Sequence, residues 1–233
     1  FLLYIFGILS TRNSGYPKHK AQATTVRTPL LGTIFSLIGG LLFTTPAASN
    51  SSGCSIVDYY PSIVRIQVGN SSFSGVVVES DSIVTVFHGL PTDGEVIVDI
   101  QGQHVSASLV AAHQGADIAL LRAETLNTPP IPLSAKPLRD NEPVIAIGYP
   151  GTHSQKVSHG RFIRQRLKGL HTSAHIDAGS SGGALLHCYE NQWELSGILR
   201  SYVAHQTEYG LVNAGQSYAT PVNIIRQLFE MAH

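Results

Sequence analysis

Short alternating apolar runs, each broken after a few residues by turn formers, limit the folds open to this chain more than any other feature. From Ile56 onward they appear as SIVRIQV, FSGVVVES, SIVTVFH, EVIVDIQ, HVSASLVAA and DIALLRA. After an interruption they resume as PVIAIGY, QKVSHGRFI, HTSAHI, GALLHCY, QWELSGILR and YGLVNAGQSYAT. A period of two puts alternate side chains on opposite faces of a strand, and the many Val, Ile and Thr residues fit that pleated surface. The interruption, TLNTPPIPLSAKPLRDNEP, is too long and too proline-rich for a hairpin, so it is expected to cross between two halves. Only PVNIIRQLFEMAH, with proline at its start and apolar residues at helical spacing, predicts a helix. The expected class is therefore all-β: two antiparallel six-stranded barrels, over 56–125 and 143–232, ending in a C-terminal helix. A crevice between two such barrels is where a site drawn from both halves would lie.

Composition narrows the chemistry. With 43% hydrophobic and 13% charged residues the chain can bury a core, and its net charge of zero gives no electrostatic reason to bind nucleic acid. The 11 histidines are scattered, with no His-Glu-x-x-His and no Cys-x-x-Cys, so neither a metal site nor a cofactor is expected. Cys54 and Cys188 are the only cysteines. They form either one disulfide in an oxidising compartment or two small buried thiols.

The first 55 residues follow a different plan. FLLYIFGILS is apolar, TRNSGYPKHKAQATTVR is polar and basic, and LLGTIFSLIGGLLF is apolar again before TTPAASNSSG. Arg27, the second apolar block and the small residues Ala47, Ala48 and Ser49 stand in the order of a secretory signal, whose cationic segment belongs at the very start. Residues 1–48 are accordingly expected to be a targeting segment. Residues 1–25 are expected to lie outside the working protein, with Val26 as an alternative start and a mature terminus near Ser49. The destination is periplasmic or extracellular, and an uncleaved block would be the only membrane attachment.

The stretch DAGSSGGALL, residues 177–186, places two serines in a glycine-rich turn ahead of an apolar run. Glycines at 179, 182 and 183 allow positive φ and a close approach of backbone amides to a ligand, as an oxyanion hole requires. In a G-x-S-G-G turn Ser181 is the nucleophile and Ser180 the variable position. His88 closes the run SIVTVFH and Asp117 opens DIALLRA. Each has an ordinary explanation by itself, a strand-terminal histidine and a turn-capping aspartate. Together with Ser181 they stand in the order His, Asp, Ser, one of the known chain orders for a nucleophile, its base and an orienting carboxylate.

The motifs SGVVVESDSIVTVFHGL, ADIALLRAE, VIAIGYPGT, VSHGRF, HIDAGSSGGALL and SYATPVNIIRQL resemble those of trypsin-like serine proteases of the HtrA/Deg branch, over roughly residues 56–232. The resemblance implies a chymotrypsin-like fold and endopeptidase activity on polypeptide substrates. It assigns His88 as base, Asp117 as orienting carboxylate, Ser181 as nucleophile, and the amides of Gly179 and Ser181 as the oxyanion hole. Two departures stand out. Phe87 replaces the usual small residue before the histidine. Ser180 stands where animal trypsins carry aspartate, so no activation by a newly cut, inserted N-terminus is expected. The chain stops after its terminal helix, so no PDZ domain is expected to follow.

Substrate is expected to add as a strand near Arg200, Ser201 and Tyr202. His175 or Arg200 could meet an acidic or polar P1 side chain, or both could point to solvent while Ile176 and Leu199 line an apolar pocket. The resemblance favours a small or apolar P1. A trypsin-fold protein that only holds peptides in its cleft is the competing reading. An esterase is less compatible, because the G-x-S-x-G strand-to-helix elbow is absent from this context.

Overall fold

The computed structural model describes residues 2–6, 9–10, 54–91, 95–124, 126–151, 154–166, 169–208 and 210–232. The basic segment, the apolar block at 30–43, Val26 and the expected cleavage site lie outside them. Among the described residues no helix is long and apolar enough to cross a membrane.

Six strands close the first barrel: β3 (Ile63–Val68), β4 (Ser71–Glu79), β5 (Ser82–Thr85), β6 (Val96–Ile100), β7 (Gln103–His113) and β8 (Ile118–Ala123). Their order around the ring is β4-β3-β6-β7-β8-β5, closed by the β4–β5 pairing. The second barrel consists of β9 (Pro143–Gly148), β10 (Lys156–Arg166), β11 (Gly169–Thr172), β12 (Ala184–Tyr189), β13 (Gln192–Thr207) and β14 (Gly210–Pro221). Its ring, β13-β12-β9-β10-β11-β14, repeats the connectivity of the first and closes through β13–β14. All of these pairings are antiparallel, as the class expected from the alternating runs requires. Two further short strands, β1 (Leu2–Phe6) and β2 (Leu9–Ser10), add to the edges of β13 and β4.

The near-continuous apolar runs of β9, β12 and β13 follow from burial on both faces. Val144 and Ala146 point into the second barrel with Phe162, Leu170, Leu185 and Leu199. Their neighbours Ile145 and Ile147, with Leu186, Leu195 and Ile198, join the larger cluster that holds Ile66, Phe73 and Leu120 of the first barrel. Each such fully buried aliphatic side chain contributes about 2 kcal/mol relative to exposure. This apolar seam fixes the barrels against each other and so fixes the crevice above it. The proline-rich crossing segment is bonded to both sides, Ile131 N–H to the Val77 carbonyl at 3.0 Å and Ser134 N–H to the Leu195 carbonyl at 3.0 Å.

Helix α1 (Val222–Ala232) buries Ile225 and Leu228 and packs back against β7, β8 and the end of the second barrel. Cys54 and Cys188 are joined, their Cα atoms 5.8 Å apart across a separation of 134 residues. By chain entropy, closing so long a loop removes about 5 kcal/mol of freedom from the unfolded state.

Two strands end sooner than the alternation predicts. β5 stops at Thr85, so His88 lies in a turn three residues on, where the Leu90 amide closes onto the Phe87 carbonyl at 3.0 Å. β11 stops at Thr172, and side chains replace the ladder beyond it. Thr172 Oγ1 accepts from the Ala174 amide, Ser217 Oγ donates to the Ala174 carbonyl and Asn213 Nδ2 donates to the Ile176 carbonyl. Hydroxyl and amide groups within an apolar pattern leave the period unchanged while taking the backbone out of the sheet.

Candidate active site

Asp117 precedes β8 at φ 54°, a left-handed conformation that aspartate tolerates better than most side chains. It caps a 3-10 turn over Gln114–Ala116, its own amide bonded to the Gln114 carbonyl. That geometry turns the carboxylate onto His88. Oδ2 lies 2.6 Å from His88 Nδ1, and Oδ1 accepts the His88 backbone amide at 2.9 Å. Ring and backbone of the histidine are thus both held by one carboxylate. A carboxylate only accepts, so Nδ1 carries a proton, and in the neutral imidazole it is Nε2 that has the lone pair. Both side chains are mostly shielded, at 20% and 12% exposure.

Ser181 is 1% exposed. Its hydroxyl donates to the Arg200 carbonyl at 3.1 Å, and its own carbonyl accepts the Ser74 amide at 2.8 Å. The turn around it is bonded internally and to β13: Ser180 N–H to Asp177 O at 3.0 Å, Gly183 N–H to Ser180 O at 3.0 Å, and Gly182 N–H to Leu199 O at 2.7 Å. The amides of Gly179 and Ser181 take no part in these bonds. Gly179 and Gly182 have φ of 95° and 87°. A Cβ at Gly179 would lie 2.6 Å from the Gly151 amide, and one at Gly182 would lie 1.9 Å from the Ser74 carbonyl. No other residue fits at either place.

Sequence reasoning missed Ser74 and Thr85. Ser74 Oγ donates to the Gly179 carbonyl at 2.8 Å and accepts the Tyr149 amide at 2.8 Å, while Thr85 Oγ1 donates to the Ser74 carbonyl at 2.6 Å. One buried serine of β4 therefore fastens the glycine-rich turn of the second barrel to the first. The signal available was a serine inside the apolar run FSGVVV, where a hydroxyl needs a partner.

The residues expected to receive substrate divide into three groups. Arg200, Ser201 and Tyr202 continue β13 past the serine turn. Ile176 and Leu199, 4% and 0% exposed, belong to the core of the second barrel. His175 is half-exposed and also held: its Nε2 lies 2.9 Å from Asp177 Oδ1, and Lys156 Nζ donates to Asp177 Oδ2 at 2.7 Å. Burial pushes the Asp177 carboxyl up, but the hydrogen bonds from Lys156 and His175 outweigh it and leave the group below its ordinary value. Burial and then the charge of Asp177 raise the Tyr202 phenol. Among the described residues no cluster of three or more His, Cys, Asp or Glu could hold a metal ion.

Comparison with known proteins bears on this geometry. The trypsin-like peptidase domain family matches residues 73–198, a span that holds His88, Asp117 and Ser181. The chain is similar to serine endoprotease DegS of Haemophilus influenzae, 30% identical over 69% of this chain and 49% of that protein. It is similar to periplasmic serine endoprotease DegP of Escherichia coli K12, 27% identical over 66% of this chain and 34% of that protein. The chain thus spans about half the length of the first relative and a third of the second. Among solved structures, a serine endoprotease from Yersinia pestis superposes with a TM-score of 0.65 at 27% identity, covering 76% of this chain and 64% of that one.

Proposed function

Because this chain belongs to the trypsin-like peptidase family, on its HtrA/Deg side, and has the chymotrypsin-like fold, we propose that it is a serine endopeptidase working through Ser181, His88 and Asp117. The observation that carries this reading is the two-point hold of Asp117 on His88, across the crevice wall to which the Ser181 turn is bonded. The Ser181 hydroxyl turns from the Arg200 carbonyl to His88 Nε2, which takes its proton as Oγ attacks a peptide carbonyl. Asp117 keeps the histidine in that tautomer and stabilises the imidazolium. The Gly179 and Ser181 amides receive the oxyanion, each such donor worth about 3 kcal/mol in the transition state. The imidazolium then protonates the leaving amine, and water, deprotonated by His88, releases the acyl group. Asp117→Asn tests the reading. It keeps the size of the side chain and lowers kcat on casein by about 10⁴-fold, because the amide favours the wrong tautomer. Wild-type turnover in that variant would remove Asp117 from the mechanism.

The preferred P1 side chain is small or apolar. His175 is engaged by the Asp177 carboxylate, whose charge opposes an acidic side chain nearby. A cleavage profile over a peptide library is expected to be led by small and apolar residues at P1. A profile led by Glu or Asp would overturn this.

The enzyme is exported, in keeping with its disulfide and with its periplasmic DegP relative. Amino-terminal sequencing of the exported protein is expected to find a start within residues 46–52. A product that retains residues 30–45 would show instead that the apolar block is an anchor.

A further inference from the structure

One edge of β13 is shared along its length by three different parts of the chain. β12 pairs with it as far as Ile198. Leu199 then exchanges backbone bonds with the serine turn, through Gly182 and Gly183, and the Arg200 carbonyl takes the Ser181 hydroxyl. From Ser201 to His205 the partner is β1, antiparallel, with Phe6 opposite Ser201, Ile5 opposite Tyr202 and Tyr4 opposite Val203. β2 lies on the first barrel, Leu9 opposite Ser72 and Ser10 opposite Ser71, on the same strand as the Ser74 that holds Ser181. The chain therefore runs along β13 toward Arg200 and leaves along β4 away from Ser74. Only Gly7 and Ile8 join the two strands.

We infer that β1, anchored by β2 on the first barrel, is an intramolecular plug, a backbone-paired strand that occupies the peptide-binding edge of its own chain and keeps other peptides out. The inference rests on the protease reading only for its consequence, inhibition. Main-chain pairing supplies affinity without demanding a particular side chain, and covalent attachment holds the segment at an effective concentration of about millimolar. An untethered edge from Ser201 to His205 would present unpaired backbone groups to any extended peptide. A chain that starts at Val26, or is cut within residues 46–52, lacks the tether, so processing would open the edge.

The test uses the full chain with two prolines in the plug, Tyr4→Pro and Ile5→Pro. Alternate residues of a strand face the partner, so two consecutive prolines remove a ladder donor whichever one faces β13. In a Ser181→Ala background, which needs no chemistry, a fluorescein-labelled peptide of sequence FLLYIFGILS is titrated into the chain with and without the prolines. The plug predicts binding at least about tenfold tighter to the proline variant. It also predicts faster hydrogen exchange in residues 201–205 of that variant. Equal binding, or exchange there unchanged by the prolines, would overturn it. In the Ser181 background the same prolines are expected to raise hydrolysis of a fluorogenic peptide. If binding differs as predicted and neither chain hydrolyses peptide, the plug stands and the protease reading is the one that fails.

Discussion

Ser181→Ala is expected to reduce casein hydrolysis by about 10⁶-fold, the loss typical of removing a nucleophile that acts as one unit with its base. Ser180→Ala is expected to leave hydrolysis within a few-fold of the parent. The two hydroxyls are neighbours in sequence but differ in their surroundings. Ser181 reaches the Arg200 carbonyl and is tied through its own carbonyl to Ser74. Ser180 contributes through its backbone, which bonds Asp177 and Gly183 whatever its side chain. Comparable losses in both variants would remove Ser181 as the nucleophile.

Gly182→Ala is expected to destabilise the protein by about 4 kcal/mol or more, at the upper end for a point substitution. Two effects act together. A φ of 87° is unfavourable for alanine, and the added methyl would lie 1.9 Å from the Ser74 carbonyl and 2.5 Å from Thr85 Oγ1. Neither atom can yield, since the Ser74 carbonyl also accepts the Thr85 hydroxyl. The substitution therefore forces the serine turn away from the first barrel. Thermal unfolding followed by circular dichroism measures the loss, and a variant that melts with the parent would contradict the packing described for this turn.

The barrels were legible because their information is local. Period-two runs between glycines and prolines mark strands, and the structure adds that VIAIG and GALL are apolar at consecutive positions because β9 and β12 are buried on both faces. The terminal helix was legible for the same reason, from Pro221 and the apolar spacing of Ile225 and Leu228. Places where side chains replace the ladder were not legible. Alternation continues through HTSAHI, yet the strand ends at Thr172 because Ser217 and Asn213, some 40 residues away in sequence, take the backbone groups. His88 was expected to close its strand, but the strand before it ends at Thr85. Sequence offered two fates for the cysteines, and only the approach of Cys54 to Cys188 decides for the bond. His175 illustrates the same limit. No pattern shows that this half-exposed histidine is held by a carboxylate two residues on.

The most direct test of the account is covalent labelling of the full chain carrying Tyr4→Pro and Ile5→Pro with a fluorophosphonate probe, followed by peptide mapping. Only an activated serine beside a functioning base and oxyanion site reacts readily with such a probe. One adduct is expected, on Ser181, that disappears in Ser181→Ala and persists in Ser180→Ala. Label on another serine would contradict the assignment, and a folded chain that binds peptide along β13 and takes no label would be a peptide-binding protein on a protease scaffold.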